Sequence, residues 1–250
     1  TAGARAAVIS AAFLIVNYVS RTILDIDPEE IEVLEPRVQR LKDGRAVPVL
    51  QLADRLVNGA GLCDRLRQVG PGGEAIIVDS MRVLINEGPG SPLVEMLAAK
   101  HRNECLQACY RCLHRYGNQA YHGLLDWRLG LDAIALLLDS SYTAGLDGHF
   151  TAPGVRDWPM LSLSLANEAA SLFGADVKQA GNVPIFTLGK DAWGVVIHPF
   201  WRHDAVIQAN PELQKLKAGG AQLQMVSTFD LSRRMGASVA RLRWQANAAD

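Results

Sequence analysis

The sequence predicts an α+β protein with a mainly helical domain over residues 1–140, a linker over 141–159, and a small α/β domain over 160–250. Three observations support this organisation. The first part contains long apolar segments with helical spacing, and the middle segment is rich in Gly, Pro and Ser. The last part alternates helical patterns with short apolar runs that are typical of strands.

Composition limits the classes of function. The chain has 250 residues, of which 49% are hydrophobic and 20% charged, and its formal net charge is -1. A near-zero charge excludes a globally basic surface, so contact with a polyanion would depend on local patches. Four cysteines, three of them clustered, do not form the pattern of a secreted disulfide-bonded domain. They favour metal binding in a reducing compartment, and we expect a cytoplasmic protein.

The first element is an apolar segment, "AAVISAAFLIVNYVS", over residues 6–20. It resembles the core of a signal peptide, but Ser10 and Asn17 interrupt it and it is short for a membrane span. The sequence therefore predicts a buried helix that runs to about Leu24, and no membrane contact. Because the chain begins with Thr1 rather than Met, we expect it to be part of a longer protein.

The next elements alternate between short structures and breaks. A short helix is predicted to begin at Asp27, which can cap it and is followed by a proline. Residues 47–54 have the apolar character of a strand, and a glycine-containing break follows at 58–61. A second cluster of turn residues occupies 88–92, and the apolar spacing after it predicts a helix over 93–115.

The end of the first domain and the α/β domain have clear periodicity. A strong amphipathic helix is predicted over 123–139. The elements predicted after the linker are a helix, a hairpin of two strands, a second helix and a final strand, over residues 160–174, 183–189, 193–201, 210–220 and 221–230 respectively. Together they form a small α/β domain.

The segment "CLQACYRCLHRYGNQAYHGLLDWRLGLD" contains three of the four cysteines, Cys105, Cys109 and Cys112. On a helix their side chains would share one face. Zinc prefers thiolate sulfur and imidazole nitrogen in a tetrahedron, so this spacing is suitable for three of its ligands. A stripe of buried core cysteines and a redox dithiol are the alternatives. Clustering in a chain with so few cysteines favours zinc.

The fourth ligand has three candidates. Cys63 is distant in sequence but follows a glycine-containing break, where the backbone can approach another element closely. His122 lies beyond the turn "YGNQ", and His114 is only two residues past Cys112, which makes it awkward to direct at the same ion. We predict Cys63, with His122 as the alternative. Either residue would close the tetrahedron and make the site structural rather than catalytic.

Nucleic-acid contacts are predicted near the cysteines. Four arginines there are candidates for contacts with DNA phosphates: Arg102, Arg111, Arg115 and Arg128. A charge run of this kind is also typical of an ordinary solvated face. Tyr110, Tyr116 or Trp127 could stack on an unpaired base, although Trp127 in the apolar run "LLDWRL" is more typical of a core residue.

Common catalytic motifs are absent from the sequence. It has no GxxxxGK[ST] phosphate loop, no GxSxG and no HExxH, so we predict no catalytic residue and no ATPase activity in this chain. One enzymatic alternative remains, a Mg-dependent nuclease in the C-terminal domain. Glu168, Asp176 and Lys178, with a hairpin after them, form a loose version of the acidic and lysine set of restriction-type nucleases.

The cysteine segment, together with "DIDPEEIEV" and "LADRLVNGAGLC", resembles the C-terminal zinc-binding domain of MrfA-type DEAD/DEAH-box helicases. It is most similar to the variants in antiphage systems of the DISARM or Druantia type. The likeness covers roughly residues 5–140. It implies that Cys105, Cys109 and Cys112 hold zinc and that the domain accompanies an ATP-driven motor on DNA. Cys63 matches only some members, because many have all four cysteines in one run.

We therefore expect a non-catalytic, zinc-stabilised accessory module of a DNA helicase or translocase complex in bacterial antiphage defence. Its cofactor would be zinc, and its partners would be DNA, single-stranded or duplex, and a DEAD/DEAH-box motor in cis or in trans. The alternatives are the Mg-dependent nuclease and a scaffold that binds only protein.

Overall fold

A computed structural model describes residues 1–44, 46–56, 59–88 and 90–247 of the chain. Parts of three predicted features lie outside the described residues: Asn58 of the break 58–61, Pro89 of the turn cluster 88–92, and the last three residues of the C-terminal domain.

The chain divides into two compact units. The N-terminal unit is Ala4–Tyr142, and the C-terminal unit is Thr143–Asp250 together with Thr1–Gly3. The first is mainly helical and the second is a small α/β unit, which confirms the predicted α+β class. The segment 141–159, predicted as a linker, belongs to the C-terminal unit from Thr143 onward. Its Val155 and Trp158 are buried, and the Trp158 ring stacks on Phe150.

The N-terminal unit contains six α-helices and two small antiparallel sheets within its described residues. The helices are α1 (Ala2–Val19), α2 (Leu62–Leu66), α3 (Ile76–Ile85), α4 (Leu93–Met96), α5 (Ala99–Glu104) and α6 (Trp127–Leu138). A π-helical turn (Ser20–Leu24) continues α1, and 3-10 turns occupy Pro28–Glu30 and Tyr116–Tyr121. The strands are β1 (Ile31–Val33), β2 (Arg37–Arg40), β3 (Ala46–Val49) and β4 (Leu52–Asp54), with β1 paired to β4 and β2 to β3.

Helix α1 is largely buried within this unit. The predicted buried helix to Leu24 is confirmed, because Ile9, Leu14 and Leu24 are all buried. Helix α6 approaches it closely at Gly130, where a Cβ atom would lie 2.8 Å from Leu14 Cδ1. The hydroxyl of Ser10 accepts a hydrogen bond from the Asp126 backbone N–H (2.8 Å), so a polar residue of the apolar helix serves as a cap contact for α6.

The same helix is the one described segment that is long and apolar enough to cross a membrane. It comprises Ala2–Leu24 with the π-helical turn included, and most of its apolar window is buried. A core helix of a soluble protein and a signal sequence meet this criterion equally well, because it depends only on length and composition.

The C-terminal unit is a four-stranded sheet with helices. Its elements are α7 (Trp158–Ser171), β5 (Val177–Ala180), β6 (Val183–Thr187), β7 (Ala192–Ile197), α8 (His203–Ala209), α9 (Pro211–Ala218), β8 (Gln222–Ser227) and α10 (Thr228–Asn247). The strand order is β5-β6-β7-β8, with antiparallel pairs up to β7 and a parallel β7–β8 pair. The predicted hairpin is confirmed as β6–β7. Leu165, Phe186, Val196 and Leu242 lie in the core that α7 and α10 form with the sheet.

Candidate metal centre

Four side chains converge beside the end of α5: His101, Cys105, Cys109 and Cys112. Each offers one ligand atom, and the four atoms lie within 4.8 Å of one another. No other group of three or more such ligands occurs among residues 1–44, 46–56, 59–88 and 90–247. His101 and Cys105 are buried, and Cys109 and Cys112 are half-buried. The group could hold a metal ion.

Three of the six distances between ligand atoms match those of a tetrahedral zinc site, and the others are within 4.8 Å. Cys105 Sγ and Cys109 Sγ each lie 3.8 Å from Cys112 Sγ, and Cys109 Sγ lies 3.5 Å from His101 Nε2. Zinc bonds of about 2.3 Å to sulfur and about 2.0–2.1 Å to nitrogen imply tetrahedral separations of about 3.8 Å between sulfurs and about 3.5 Å between sulfur and nitrogen. The arrangement is therefore compatible with zinc.

The backbone conformation explains this convergence. The predicted helix over 93–115 is interrupted, and α5 ends at Glu104. In a continuous helix, Cys105 and Cys112 would be about 10 Å apart along the axis, too far to share one ion. The chain reverses instead: the carbonyl of Cys109 accepts hydrogen bonds from the N–H groups of Cys112, Leu113 and His114, at 3.0, 3.0 and 2.9 Å. This tight turn returns the Cys112 thiol to the other cysteines.

The orientation of His101 is fixed by a hydrogen bond on the far side of its ring. His101 Nδ1 lies 2.9 Å from the carbonyl oxygen of Met96, which can only accept. Nδ1 therefore donates this hydrogen bond, and Nε2 is the ring nitrogen that faces the cysteines and could bind a metal ion. The imidazole also packs against Trp127, with ring centroids 5.6 Å apart. A metal-ligating histidine in proteins is commonly held in this way.

The structure brings His101 to the three cysteines, and Cys63 is not part of the group. Cys63 lies on α2, where its backbone N–H donates to Asp54 Oδ1 at 2.8 Å and the N–H of Leu62 donates to Asp54 Oδ2 at 3.0 Å. Burial, together with the Asp54 carboxylate, raises the pKa of the Cys63 thiol to about 12. Cys63 therefore contacts Asp54 at the start of a helix and lies outside the group of four potential ligands, which corrects its predicted role.

The alternative ligand, His122, has other contacts. Its Nε2 lies 3.0 Å from the carbonyl of Arg115 and 2.9 Å from Asn118 Oδ1, so this nitrogen must donate. Its ring stacks on His114 with centroids 3.9 Å apart. Tyr110 packs edge-on against both rings. The two histidines after the cysteines therefore form an aromatic cluster beside the metal centre, not part of its ligand set.

The thiols are unequal in their readiness to ionise. A hydrogen bond from Cys112, together with one from Cys109 and the nearby charges of His101 and Arg128, lowers the pKa of Cys105 to about 6, although burial opposes the shift. The hydrogen bond to Cys105 and burial raise the pKa of Cys112. The hydrogen bond between the two thiols therefore favours ionisation of Cys105 over ionisation of Cys112.

The four predicted DNA-contacting arginines have different environments. Arg128 is 9% exposed, its guanidinium lies 4.1 Å from the centroid of the Trp127 ring, and it donates to the carbonyl of Leu106 at 3.0 Å. It holds the cysteine segment against α6 and is not accessible to a phosphate. Arg115 is half-buried, and burial lowers its pKa to about 10. Arg102 is half-buried, and Arg111 is exposed.

The three aromatic residues predicted to stack on a base also differ in their exposure. Trp127 is fully buried, and its indole N–H donates to the carbonyl of Cys105 at 3.3 Å, so it is a core residue. Tyr110 and Tyr116 are exposed by 70% and 83%. These two rings remain available for stacking on a ligand.

The three residues considered for a Mg-dependent nuclease do not form a metal-binding group. Glu168 lies on α7, Asp176 precedes β5 and Lys178 lies on β5, and all three are exposed. Neither acid belongs to the one group of potential ligands found among the described residues. The Lys178 ammonium lies 5.4 Å from the centroid of the Trp193 ring. No geometric observation favours the nuclease alternative.

Comparison of the chain with protein-family models, curated proteins and solved structures finds no match. The chemistry of the centre is therefore interpreted from its own geometry. One imidazole and three thiols within 4.8 Å of one another provide soft and borderline ligands in a combination that structural zinc sites use.

Proposed function

We propose that this chain is a non-catalytic, zinc-stabilised accessory module of a DNA helicase or translocase complex. The observation that carries the zinc assignment is the set of 3.8 Å and 3.5 Å separations among the thiols and the His101 imidazole. Four protein ligands complete a tetrahedron, so no coordination position remains for water or substrate. A closed site of this kind stabilises a fold and does not catalyse a reaction.

The contacts around the centre explain what zinc would stabilise. The side-chain amide of Asn17 on α1 donates to the carbonyl of Cys112 at 2.9 Å. The Trp127 indole and the Arg128 guanidinium on α6 both donate to the carbonyl of Cys105. Zinc would therefore tie a turn that has little regular structure of its own to the two core helices of the N-terminal unit.

The assignment to a DNA motor rests on the resemblance of residues 5–140 to the zinc-binding domain of MrfA-type helicases. The exposed rings of Tyr110 and Tyr116 and the exposed Arg111 support nucleic-acid contact, because base stacking and phosphate neutralisation require such groups. The motor would lie in cis or in trans. The pathway we propose is bacterial antiphage defence, in the cytoplasm.

Metal analysis and activity assays test this proposal together. The purified chain should contain a single zinc ion, and alone it should neither hydrolyse ATP nor cleave DNA with Mg²⁺. Disrupting the centre should lower the DNA-stimulated ATPase activity of the DEAD/DEAH-box motor encoded in the same gene or operon. A metal-free folded chain would overturn the zinc assignment. Mg-dependent cleavage that is lost in Glu168→Ala would favour the nuclease.

Zinc affinity should fall as the pH is lowered from about 8 to about 6. Binding requires thiolates, and the raised pKa of Cys112 means that zinc must displace its proton throughout this range. Cys105, with a pKa of about 6, should contribute to the slope only near the lower limit. Competition with a chromophoric chelator across this pH range measures the effect. The Cys63→Ser variant should have the same pH dependence, and a pH-independent affinity would contradict Cys112 as a ligand.

A further inference from the structure

A groove adjoins the metal centre within the N-terminal unit. Its volume is about 810 Å³, within the range of about 300–1,000 Å³ that ligand sites in proteins have. Apolar side chains from α1, α3 and the α4 region line part of it: Leu14, Leu84, Pro92, Val94 and Met96. Two of the candidate metal ligands, His101 and Cys112, line another part. The groove therefore combines an apolar surface with a wall whose position depends on the metal centre.

Basic side chains line the same groove. Arg21, Lys100 and Arg111 contribute positive charge, and Glu95 is the one acidic residue among those that line it. Arg111 is paired with Glu104, at 2.5 Å. Arg21 and Lys100 are exposed and form no ion pair within the described parts of the chain. Two cations thus remain available to an anionic ligand.

One buried polar atom in the lining of the groove has no hydrogen-bond partner among the described residues. Asn17 lines the groove and uses its amide N–H on the Cys112 carbonyl, but its Oδ1 accepts no hydrogen bond from the described residues. Buried polar atoms are rarely left unpaired, so Asn17 Oδ1 is consistent with a ligand that carries a hydrogen-bond donor.

We propose that this groove binds a segment of single-stranded nucleic acid. Phosphates would lie at Arg21 and Lys100, and an unpaired base would lie on the apolar surface with a donor toward Asn17 Oδ1. A single strand exposes base faces that a duplex keeps stacked, and an apolar surface with a cationic edge complements both parts of it. The inference rests on the proposed function, because it names the surface through which the module would engage DNA.

Charge reversal at the groove tests the inference in the full chain. The probe is a fluorescein-labelled single-stranded DNA of mixed sequence, about 20 nucleotides long, followed by anisotropy over a series of salt concentrations. Arg21→Glu with Lys100→Glu should weaken binding by about tenfold or more at low salt. It should also reduce the slope of log affinity against log salt by about 1.4, for two lost phosphate contacts.

The matched control is Arg40→Glu with Lys42→Glu. Arg40 and Lys42 are also exposed, and they do not line the groove. Reversing both changes the net charge by the same amount as the groove variant. The control should change affinity by less than about twofold. A second groove variant, Val94→Asp, should weaken binding without removing a cation, because it places a carboxylate on the apolar surface.

The remaining outcomes separate this inference from the proposed function. Undetectable binding by the parent chain, equal losses in groove and control variants, or equally tight binding of a free mononucleotide would each overturn it. Zinc content and the thermal midpoint are measured for every variant. If the groove variants keep zinc and fold normally but bind DNA like the parent, the groove assignment fails while the zinc-stabilised module stands. A folded parent chain that contains no zinc would contradict the proposed zinc-stabilised module.

Discussion

Cys112→Ser should abolish zinc binding by the purified chain and unfold much of its N-terminal unit, whereas Cys63→Ser should keep zinc and fold normally. Structural zinc contributes about 10–16 kcal/mol to small zinc domains at neutral pH, which is comparable to the total stability of a typical domain, about 5–15 kcal/mol. Inductively coupled plasma mass spectrometry of the two variants gives the zinc content, and circular dichroism follows unfolding.

Cys112 is the most informative ligand to remove. Its sulfur lies 3.8 Å from both other thiol sulfurs, and its carbonyl accepts the hydrogen bond from Asn17 on α1. Serine preserves the size of the side chain and that backbone contact, so the loss reports on the sulfur itself. Serine oxygen is a far weaker zinc ligand than a thiolate.

The comparison with Cys63 decides between two ligand sets. Cys63→Ser removes a thiol of the same kind, but one that lies against Asp54 and outside the group of four. His101→Ala should reproduce the zinc loss of Cys112→Ser, because it removes the only nitrogen ligand. If His101→Ala retained zinc and Cys63→Ser lost it, the zinc ligands would be the four cysteines. That result would contradict His101 as a ligand.

The metal centre was predictable in part, and the missing part has a physical explanation. Three thiols within a short run indicated zinc whatever the local backbone. His101 was missed because the predicted continuous helix over 93–115 would place its side chain about 16 Å along the axis from Cys112. The end of α5 at Glu104 brings them together. Spacing alone held a signal, since His101, Cys105, Cys109 and Cys112 form a single compact H-x3-C-x3-C-x2-C run.

The fold and the charged surface show the same contrast. The hairpin β6–β7 and helix α6 were predictable, because their apolar patterns are local and strong. The basic surface was not, because a linear charge run does not reveal burial. Arg128 belongs to the predicted run but is covered by its own contacts with Trp127 and Leu106. Arg21 belongs to another part of the sequence, yet it lines the same groove as Lys100.

Trp127→Ala should lower the free energy of unfolding of the N-terminal unit by about 3–5 kcal/mol, as for other large buried aromatic residues. Trp127 is among the largest fully buried side chains in the structure. Alanine would leave a cavity and remove one of the two hydrogen bonds to the carbonyl of Cys105, the one that the indole N–H now donates at 3.3 Å. Urea unfolding of the zinc-loaded chain measures the change.

The same substitution should also weaken zinc binding, by about 10–100-fold, which distinguishes it from an ordinary core substitution. The Trp127 ring packs on His101, and its indole N–H donates to the carbonyl of Cys105 at 3.3 Å, so the side chain supports one ligand directly and the backbone of another. Tyr116→Ala, which removes an exposed ring of the same unit, is the control. It should change the free energy of unfolding and the zinc affinity by only a small fraction of the changes expected for Trp127→Ala. A large stability loss in Trp127→Ala with unchanged zinc affinity would show that the centre is rigid without its support from α6.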